Sequence, residues 1–405
     1  MELSTRIWRF GFTATLVTSM AICPFIVYGL TALSPLIVHD LNLSRTQFGA
    51  LASGAFAVAM AGSITSGRMV DCFGGRRILY ALCAFSALSM LLVASGTTYV
   101  QLVLAVALSG VGIAFGNPAT NQLISTYLPA GDRGKAVGLK QAGVPLSQLI
   151  AGLALPAMAL MFGWRSAIGI WCCLSVFNLV LSVAFIPKLR PMPSPEMQLQ
   201  KLPKDVWWLL VYSLLTGVAV QATNVYLPLF AHERLDFSIV TGALIVAIVG
   251  GIGLSARIAW GAVSDAMTSP QLLLAVLAFA AAFGSSLLWV SGLIESPALF
   301  WLGVIVHGST AIAMPVVVIV VLVRVVDQAK VGKASGIIAT GQFAGFSVGP
   351  LALGAVADST GSYLIGWFSL ATLYCVVCIV SVIKFRGSGC TSAVLWRWVV
   401  HPVTG

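Results

Sequence analysis

The sequence predicts an all-α membrane protein, with twelve transmembrane helices in two pseudo-symmetric six-helix bundles. Three observations predict it. Only 8% of the 405 residues are charged while 59% are hydrophobic, against about 25% charged in a soluble domain. Charge-free stretches of membrane-spanning length recur along the whole chain. The second half also repeats short patterns of the first.

Composition alone sets the solvent. With a mean hydropathy of +0.99, most of this surface needs lipid to cover it. The net charge of +10 raises the alternative of a nucleic-acid binder. The basic residues, however, sit in short loops between apolar runs, with no basic stripe or aromatic platform, so nucleic acid is not an expected partner. The run from Phe10 to Val38 exceeds the apolar region of a secretory signal, and many similar runs follow it.

A helix needs about 20 apolar residues to cross the hydrocarbon core. Stretches without Asp, Glu, Lys or Arg run 10–38, 46–67, 78–131, 141–164, 166–187, 206–231, 237–256, 266–294, 296–323, 334–357 and 359–383. The third is long enough for two spans, with Ser95-Gly96-Thr97-Thr98 as a turn between them. That gives twelve spans. With both ends on the cytoplasmic side, 18 Lys and Arg fall inside and three (Arg45, Arg165, Arg234) outside, as the positive-inside rule requires. Arg257 is left within a span.

The segment 188–205 holds Pro191, Pro193, Pro195 and Pro203 among polar residues, and reads as a cytoplasmic linker. The organisation is therefore an N-terminal half 1–187, the linker 188–205, a C-terminal half 206–386 and a tail 387–405. Trp396-Arg397-Trp398 in that tail has the character of an interfacial segment.

Ser44, Gly49-Ala50-Leu51 and Gly67…Asp71 recur as Ser238, Gly242-Ala243-Leu244 and Gly261…Asp265, at an offset of 193 or 194. Gly134-Lys135-Ala136, Gly138 and Gly143 recur as Gly332-Lys333-Ala334, Gly336 and Gly341, at offset 198. An ordered series with slowly drifting offset implies two parallel halves related by an axis along the membrane normal.

Gly67-Arg68-Met69-Val70-Asp71-Cys72-Phe73-Gly74-Gly75-Arg76-Arg77 resembles the loop motif between helices 2 and 3 of the major facilitator superfamily. Gly261-Ala262-Val263-Ser264-Asp265 is its weaker echo between helices 8 and 9. Cys72 departs from the pattern, which usually has a basic residue there, as does Gly75. The resemblance implies a secondary transporter in a bacterial inner membrane, both termini cytoplasmic, working as a monomer on a small-molecule substrate without a cofactor. It also implies that Gly67, Asp71, Gly74, Arg76, Arg77, Gly261 and Asp265 form a cytoplasmic gate. Arg76 and Arg77 read equally well as topology anchors. Asn117-Pro118-Ala119-Thr120-Asn121, the run Arg133 to Pro145, and Gly163-Trp164-Arg165 resemble a bacterial organic-anion branch that includes cyanate-transporter-like proteins. The helix 4 arginine of proton-linked branches is replaced by Val106, and helix 5 lacks the Gly-Pro-x-x-Gly-Gly of drug/proton antiporters.

Charge inside a bilayer is costly, so intramembrane polar residues are the candidate site. Arg257 leads, because a guanidinium keeps its proton and offers forked donors that fit a carboxylate. The alternative is a structural arginine held by a helix C-terminus or by Asp265. Lys140 with Gln141 adds a second positive group or snorkels to the surface. Asn117 and Asn121 in span 4, Tyr28 in span 1, and Gln221, Asn224 and Tyr226 in span 7 supply polar groups for a cavity. Gln342 in span 11 is of the same kind, and His307 in span 10 is a candidate proton relay. The expected cargo is a small carboxylate-type anion moved by proton symport or exchange, with efflux of a neutral or cationic drug-like compound as the alternative. No phosphate-binding Gly-x-x-x-x-Gly-Lys motif occurs, no pair of catalytic groups stands out, and an enzyme is not expected. Cys375-Val-Val-Cys378 has metal-ligand spacing but no second pair, and reads as apolar filler rather than a metal site.

Overall fold

The computed structural model describes residues 2–188, 202–267, 269–326 and 330–387, and among them every element is helical. In order these are α1 (Glu2–Ala32), α2 (Ser34–Asp40), α3 (Arg45–Phe73), α4 (Gly75–Ser95), α5 (Tyr99–Tyr127), α6 (Ala130–Gln141), α7 (Gly143–Ile170), α8 (Cys172–Phe185), α9 (Lys204–Leu235), α10 (Ile239–Ala266), α11 (Gln271–Leu293), α12 (Pro297–Thr310), α13 (Met314–Val325), α14 (Val331–Thr360) and α15 (Leu364–Gly387). A single 3-10 turn, Ala311–Ala313, joins α12 to α13. The proline-rich part of the linker and the tail with its tryptophans lie outside the described residues.

Ten described helices are long and apolar enough to cross a membrane, and eleven when α3, bent by 60° between Ser63 and Thr65, counts as one span. One of the ten is the stretch Gly131–Phe185, 55 residues long. At about 1.5 Å per residue it would be roughly 80 Å if straight, against a hydrocarbon core of about 30 Å. It is not straight: Gly163 sits at φ +77°, a left-handed conformation inside α7, in open space. Only glycine adopts that region without strain. The chain breaks there, two residues before Arg165, and with this stretch counted as two spans and α3 as one the described residues hold twelve.

Local chemistry fixes the other ends. Ser44 and Gln47 form a capping box at the start of α3, and Thr98 and Gln101 form one at the start of α5. Each satisfies first-turn amides that have no helical partner. Asp236 turns the chain after α9 in the left-handed conformation, at φ 54°. Large apolar side chains such as Phe10, Met161, Phe279 and Ile258 face outward. That arrangement suits lipid rather than water. Cys375 also faces outward, with Cys378 half-buried, so only Cys378 partly fills the core; no metal-ligand cluster occurs among the described residues.

The face where α1 and α9 begin and α15 ends is called here the terminal face, its opposite the far face. On the far side of the midplane the halves lock together. Gly49 of α3 lies against the carbonyl of Pro350 in α14, and Gly152 of α7 against Ala243 and Ala247 of α10. A Cβ at either glycine would overlap neighbouring backbone, so these positions let two helices approach closely. Phe56 packs on Phe343 and Phe346 across the same seam. Toward the terminal face the helices part: Gly67, Gly131, Gly134, Gly138, Gly332 and Gly336 have open space where a side chain would stand.

Candidate functional site

The polar residues near the midplane fall into three groups. The first surrounds Lys140, at the last turn of α6 just before the break at Ala142. Its side chain is 1% exposed, so it does not snorkel. The ammonium donates to Thr120 Oγ1 at 2.7 Å and to Asn117 Oδ1 at 3.1 Å on α5. The Gln141 amide donates to the same Asn117 oxygen at 3.3 Å. Thr120, which lies within the Asn117–Asn121 motif and was given no role of its own from the sequence, completes the group. Its hydroxyl also donates back to the Gly116 carbonyl at 2.6 Å.

Arg257 forms the second group and ties it to the first. Its Nε donates to the Ile312 carbonyl at 3.1 Å and its Nη1 to the Gln141 carbonyl at 3.1 Å. Both acceptors lie where a helix is interrupted, Ile312 in the 3-10 turn and Gln141 at the end of α6, so their carbonyls are available. One guanidinium therefore bridges the two halves. Trp260, one turn on, holds the same interruption by donating from Nε1 to the Ser309 carbonyl at 2.7 Å. Tyr28 of α1 lies close enough to feel the Arg257 charge. Arg257 does not pair with Asp265, which is exposed at the end of α10. A helix C-terminus does hold it, that of α6 at Gln141, as the structural alternative expected. The C-terminus of its own helix is taken by Arg324, which donates to the carbonyls of Ser264, Asp265 and Met267.

In the third group His307 Nε2 meets Asn224 Oδ1 at 3.2 Å, with Gln221 one turn from Asn224 on α9. All three are buried. Gln221 Nε2 and His307 Nδ1 have no protein partner.

One expectation for the cavity is corrected. Tyr226 is not a midplane residue: its hydroxyl donates to the Arg45 carbonyl at 2.5 Å and sits against Gly49 and Gly354. Asn121 is exposed, while Asn117 is the one turned into the cluster. The two lie on one face of α5, about 40° apart, and Asn117 is the one level with Lys140. Gln342 is half-buried on α14, apart from the three groups.

The expected gate residues lie on the open terminal face. Gly67 has no neighbour, Gly261 touches Val316, Gly74 forms the α3–α4 turn at φ 81°, and Arg77 is exposed. Arg76 donates to Tyr80 and to the Val183 carbonyl, both in its own half. The polar seal seen in this conformation is on the far face, where sequence reading placed none. Asp358 of α14 accepts from the backbone N–H of Arg45 and Thr46 and from the Thr46 hydroxyl. Arg45 reaches Glu233 at 2.7 Å and Tyr363 at 3.0 Å. The only sequence signal was that these charges flank charge-free stretches; nothing aligns position 45 with position 358.

Residues 15–350 match the pattern of the Major Facilitator Superfamily. The chain is 25% identical to a hexuronate transporter of Bacillus subtilis, over 88% of this chain and 89% of that one. It is 26% identical to a probable nitrate/nitrite transporter of Mycobacterium tuberculosis, over 87% and 91%. Its fold is similar to a bacterial homologue of the human lysosomal transporter Spinster, crystallised inward-facing and occupied. The TM-score is 0.70 at 16% identity, covering 96% of this chain and 97% of that one. The chain belongs to the Major Facilitator Superfamily; it is an integral multi-pass membrane transporter and not an enzyme.

Proposed function

We propose that this transporter moves a small organic anion of the carboxylate type across a bacterial inner membrane by rocker-switch alternating access, driven by proton symport or exchange. The observation that carries the reading is the charge inventory of the midplane. Arg257 and Lys140 are held there by neutral amide, hydroxyl and carbonyl oxygens. Every described Asp or Glu lies in a loop or at a helix end. A buried guanidinium and a buried lysine amine without a carboxylate leave electrostatic work for an anion to do. A cationic drug would find no counter-charge in the same place. The relatives named for hexuronate and for nitrate or nitrite carry anions, in keeping with this reading.

In this proposal Arg257 and Lys140 bind the anion, with Tyr28, Asn117, Gln141, Gln221 and Asn224 shaping the cavity. The 1–187 and 206–386 halves rock about the linker, both termini being cytoplasmic, so the conformation described is inward-open. When the terminal face closes, the Asp71 and Asp265 ends of α3 and α10 meet the helix starts of α14 and α6. A monomer suffices, since the cavity lies between the halves of one chain.

The test is a thermal-shift screen of glucuronate, benzoate, malate and nitrate on the purified wild type and on Arg257→Gln. Stabilisation of the wild type alone is expected. Equal stabilisation of both, or of neither, removes the support for an anion site.

A further inference from the structure

We propose that Lys140 carries the proton that this transporter loads together with its anion, Arg257 being the fixed counter-charge. The proposal rests on the anion reading above and adds to it the residue that couples the two fluxes.

Three observations lead there. The first is the hydrogen bonding of Lys140. An ammonium has three N–H donors, and two are used, on Thr120 Oγ1 at 2.7 Å and Asn117 Oδ1 at 3.1 Å. A neutral amine keeps two N–H groups and can make the same two bonds. Its lone pair then occupies the third position. The site thus holds either protonation state without losing a protein contact, and with neutral acceptors no ion pair is broken when the proton leaves. Arginine has no such freedom, because its proton does not leave.

The second observation is what surrounds it. α6 packs on α1, α5 and α7. From α1, Glu2 opens the helix at the terminal face, Arg6 is exposed, and Arg9 pairs with Asp132 of α6 at 3.2 Å. Higher on α1, Cys23 faces Gly112 and Tyr28 lies by Arg257. From α5, Tyr99 donates to the Gln47 carbonyl and Tyr127 to the Pro187 carbonyl. On α6 itself, Arg133 donates to the Leu128 and Ser125 carbonyls, and Lys135 is exposed. From α7, Arg165 pairs with Asp40 on the far face. No carboxylate among the described residues is in ion-pair contact with Lys140. The only other cation tied to this group is Arg257, through Gln141. Lysine is the residue that can relieve an uncompensated buried charge by releasing its proton.

The third is access. Lys140 lies in the last turn of α6, and Lys135, five residues earlier on the same helix, is exposed, so at about 1.5 Å per residue the solvated part of α6 is roughly 8 Å away.

The step is a simple ionisation. A Lys140 N–H bond breaks, the electron pair stays on nitrogen, and the proton passes to water; loading is the reverse. The charge count then balances over the cycle. Empty, the site holds Arg257 alone; loaded, it holds Arg257, protonated Lys140 and one monoanion. Net charge is the same in both, so both forms cross the barrier at similar electrostatic cost.

The experiment uses the full chain in liposomes containing a pH dye, and in detergent for binding, with glucuronate, benzoate and nitrate as probes between pH 5.5 and 8.5. For whichever probe stabilises the wild type, affinity is expected to weaken by about tenfold per pH unit above the Lys140 titration, as one-proton linkage requires. Probe addition should acidify the lumen. Lys140→Arg, whose charge is fixed, should lose the pH slope and the acidification whatever its absolute affinity. Lys140→Gln should bind weakly with an equally flat profile, and serves if the arginine does not fold. A wild-type slope or wild-type acidification in either variant overturns the proposal. Arg257→Gln is the separate control: if it binds as the wild type while Lys140→Arg is flat, the role of Arg257 falls and that of Lys140 stands.

Discussion

The carboxylate of Asp358 accepts hydrogen bonds from the backbone N–H of Thr46 at 2.8 Å and of Arg45 at 3.0 Å. One half of the molecule thereby caps the first turn of a helix in the other. A carboxylate at a helix N-terminus meets both free donors and the positive end of the dipole. Because this contact exists only when the far face is shut, it stabilises one conformation and not its alternative.

Asp358→Ala should therefore shift the population toward far-face opening. Losing hydrogen bonds to a charged group costs about 1.5–3 kcal/mol when buried. This carboxylate is exposed, so the lower end applies, roughly tenfold in the ratio of states. Spin labels at Thr97 and Ser359, in a chain cleared of its exposed cysteines, should report a broadened and lengthened distance. An unchanged distribution would count against the seal.

Gly49→Val and Gly354→Val should act more severely in the same direction. The added carbons would occupy the space of Pro350 backbone at one site and Arg45 backbone at the other, and backbone gives way at high cost. Both variants should fold, keep ligand access from the far face, and lose turnover in a liposome uptake assay. Normal uptake by either would mean the seam need not close.

Arg257→Lys should be nearly as damaging as Arg257→Gln. Lysine keeps the charge, but its compact ammonium lacks the planar fork whose Nε and Nη1 reach the Ile312 and Gln141 carbonyls from two separate atoms. Truncating a buried charged group of a binding site costs about 2–5 kcal/mol. Titration calorimetry should then show at least a thirtyfold weakening for Gln. A lysine variant with wild-type affinity would show that charge alone matters.

Trp260→Phe removes the donor to the Ser309 carbonyl and leaves that carbonyl unpaired at the helix interruption. An unsatisfied buried acceptor costs about 1–3 kcal/mol, so melting temperature should fall by several degrees. Binding should change less than turnover, because Trp260 holds the α12–α13 joint rather than the anion. The comparison of affinity with uptake rate in one preparation decides it.

Asp40 gives a pH signature on the far face. The Arg165 side chain, hydrogen-bonded to Asp40 with Trp164 beside it, holds this carboxyl below its ordinary value of 3.8. A depressed acid contributes stability that is present above its unfolded value and lost as pH falls through the folded one. Arg165→Gln should be less stable than the wild type at pH 7, by under about 1 kcal/mol for so exposed a pair. The two should converge once pH has fallen through the folded-state value of Asp40. A gap that persists there would assign the effect to packing, since Arg165 also covers the Trp164 ring at 4.2 Å.

The chain order of spans was legible because lipid makes one demand of every segment: about twenty apolar residues with their backbone paired internally. That demand is local, so it can be read residue by residue, and the twelve crossings, the turn near Arg165 and the isolation of Arg257 all follow from it. Where a side chain points is not local. Lys140 sits at a membrane edge in the sequence. It reaches Asn117 and Thr120 only because α6 ends at Ala142 and folds its last turn against α5. Tyr226 reads as a cavity residue until α3 arrives from the other half to offer the Arg45 carbonyl. Asp358 and Thr46 are 312 residues apart, and no periodicity relates them. The sequence by itself determined that the chain lives in lipid and carries a cation at its centre. Which groups face that cation, and which face of the protein is shut, only the packing of two halves decided, because those are energies between segments and not within them.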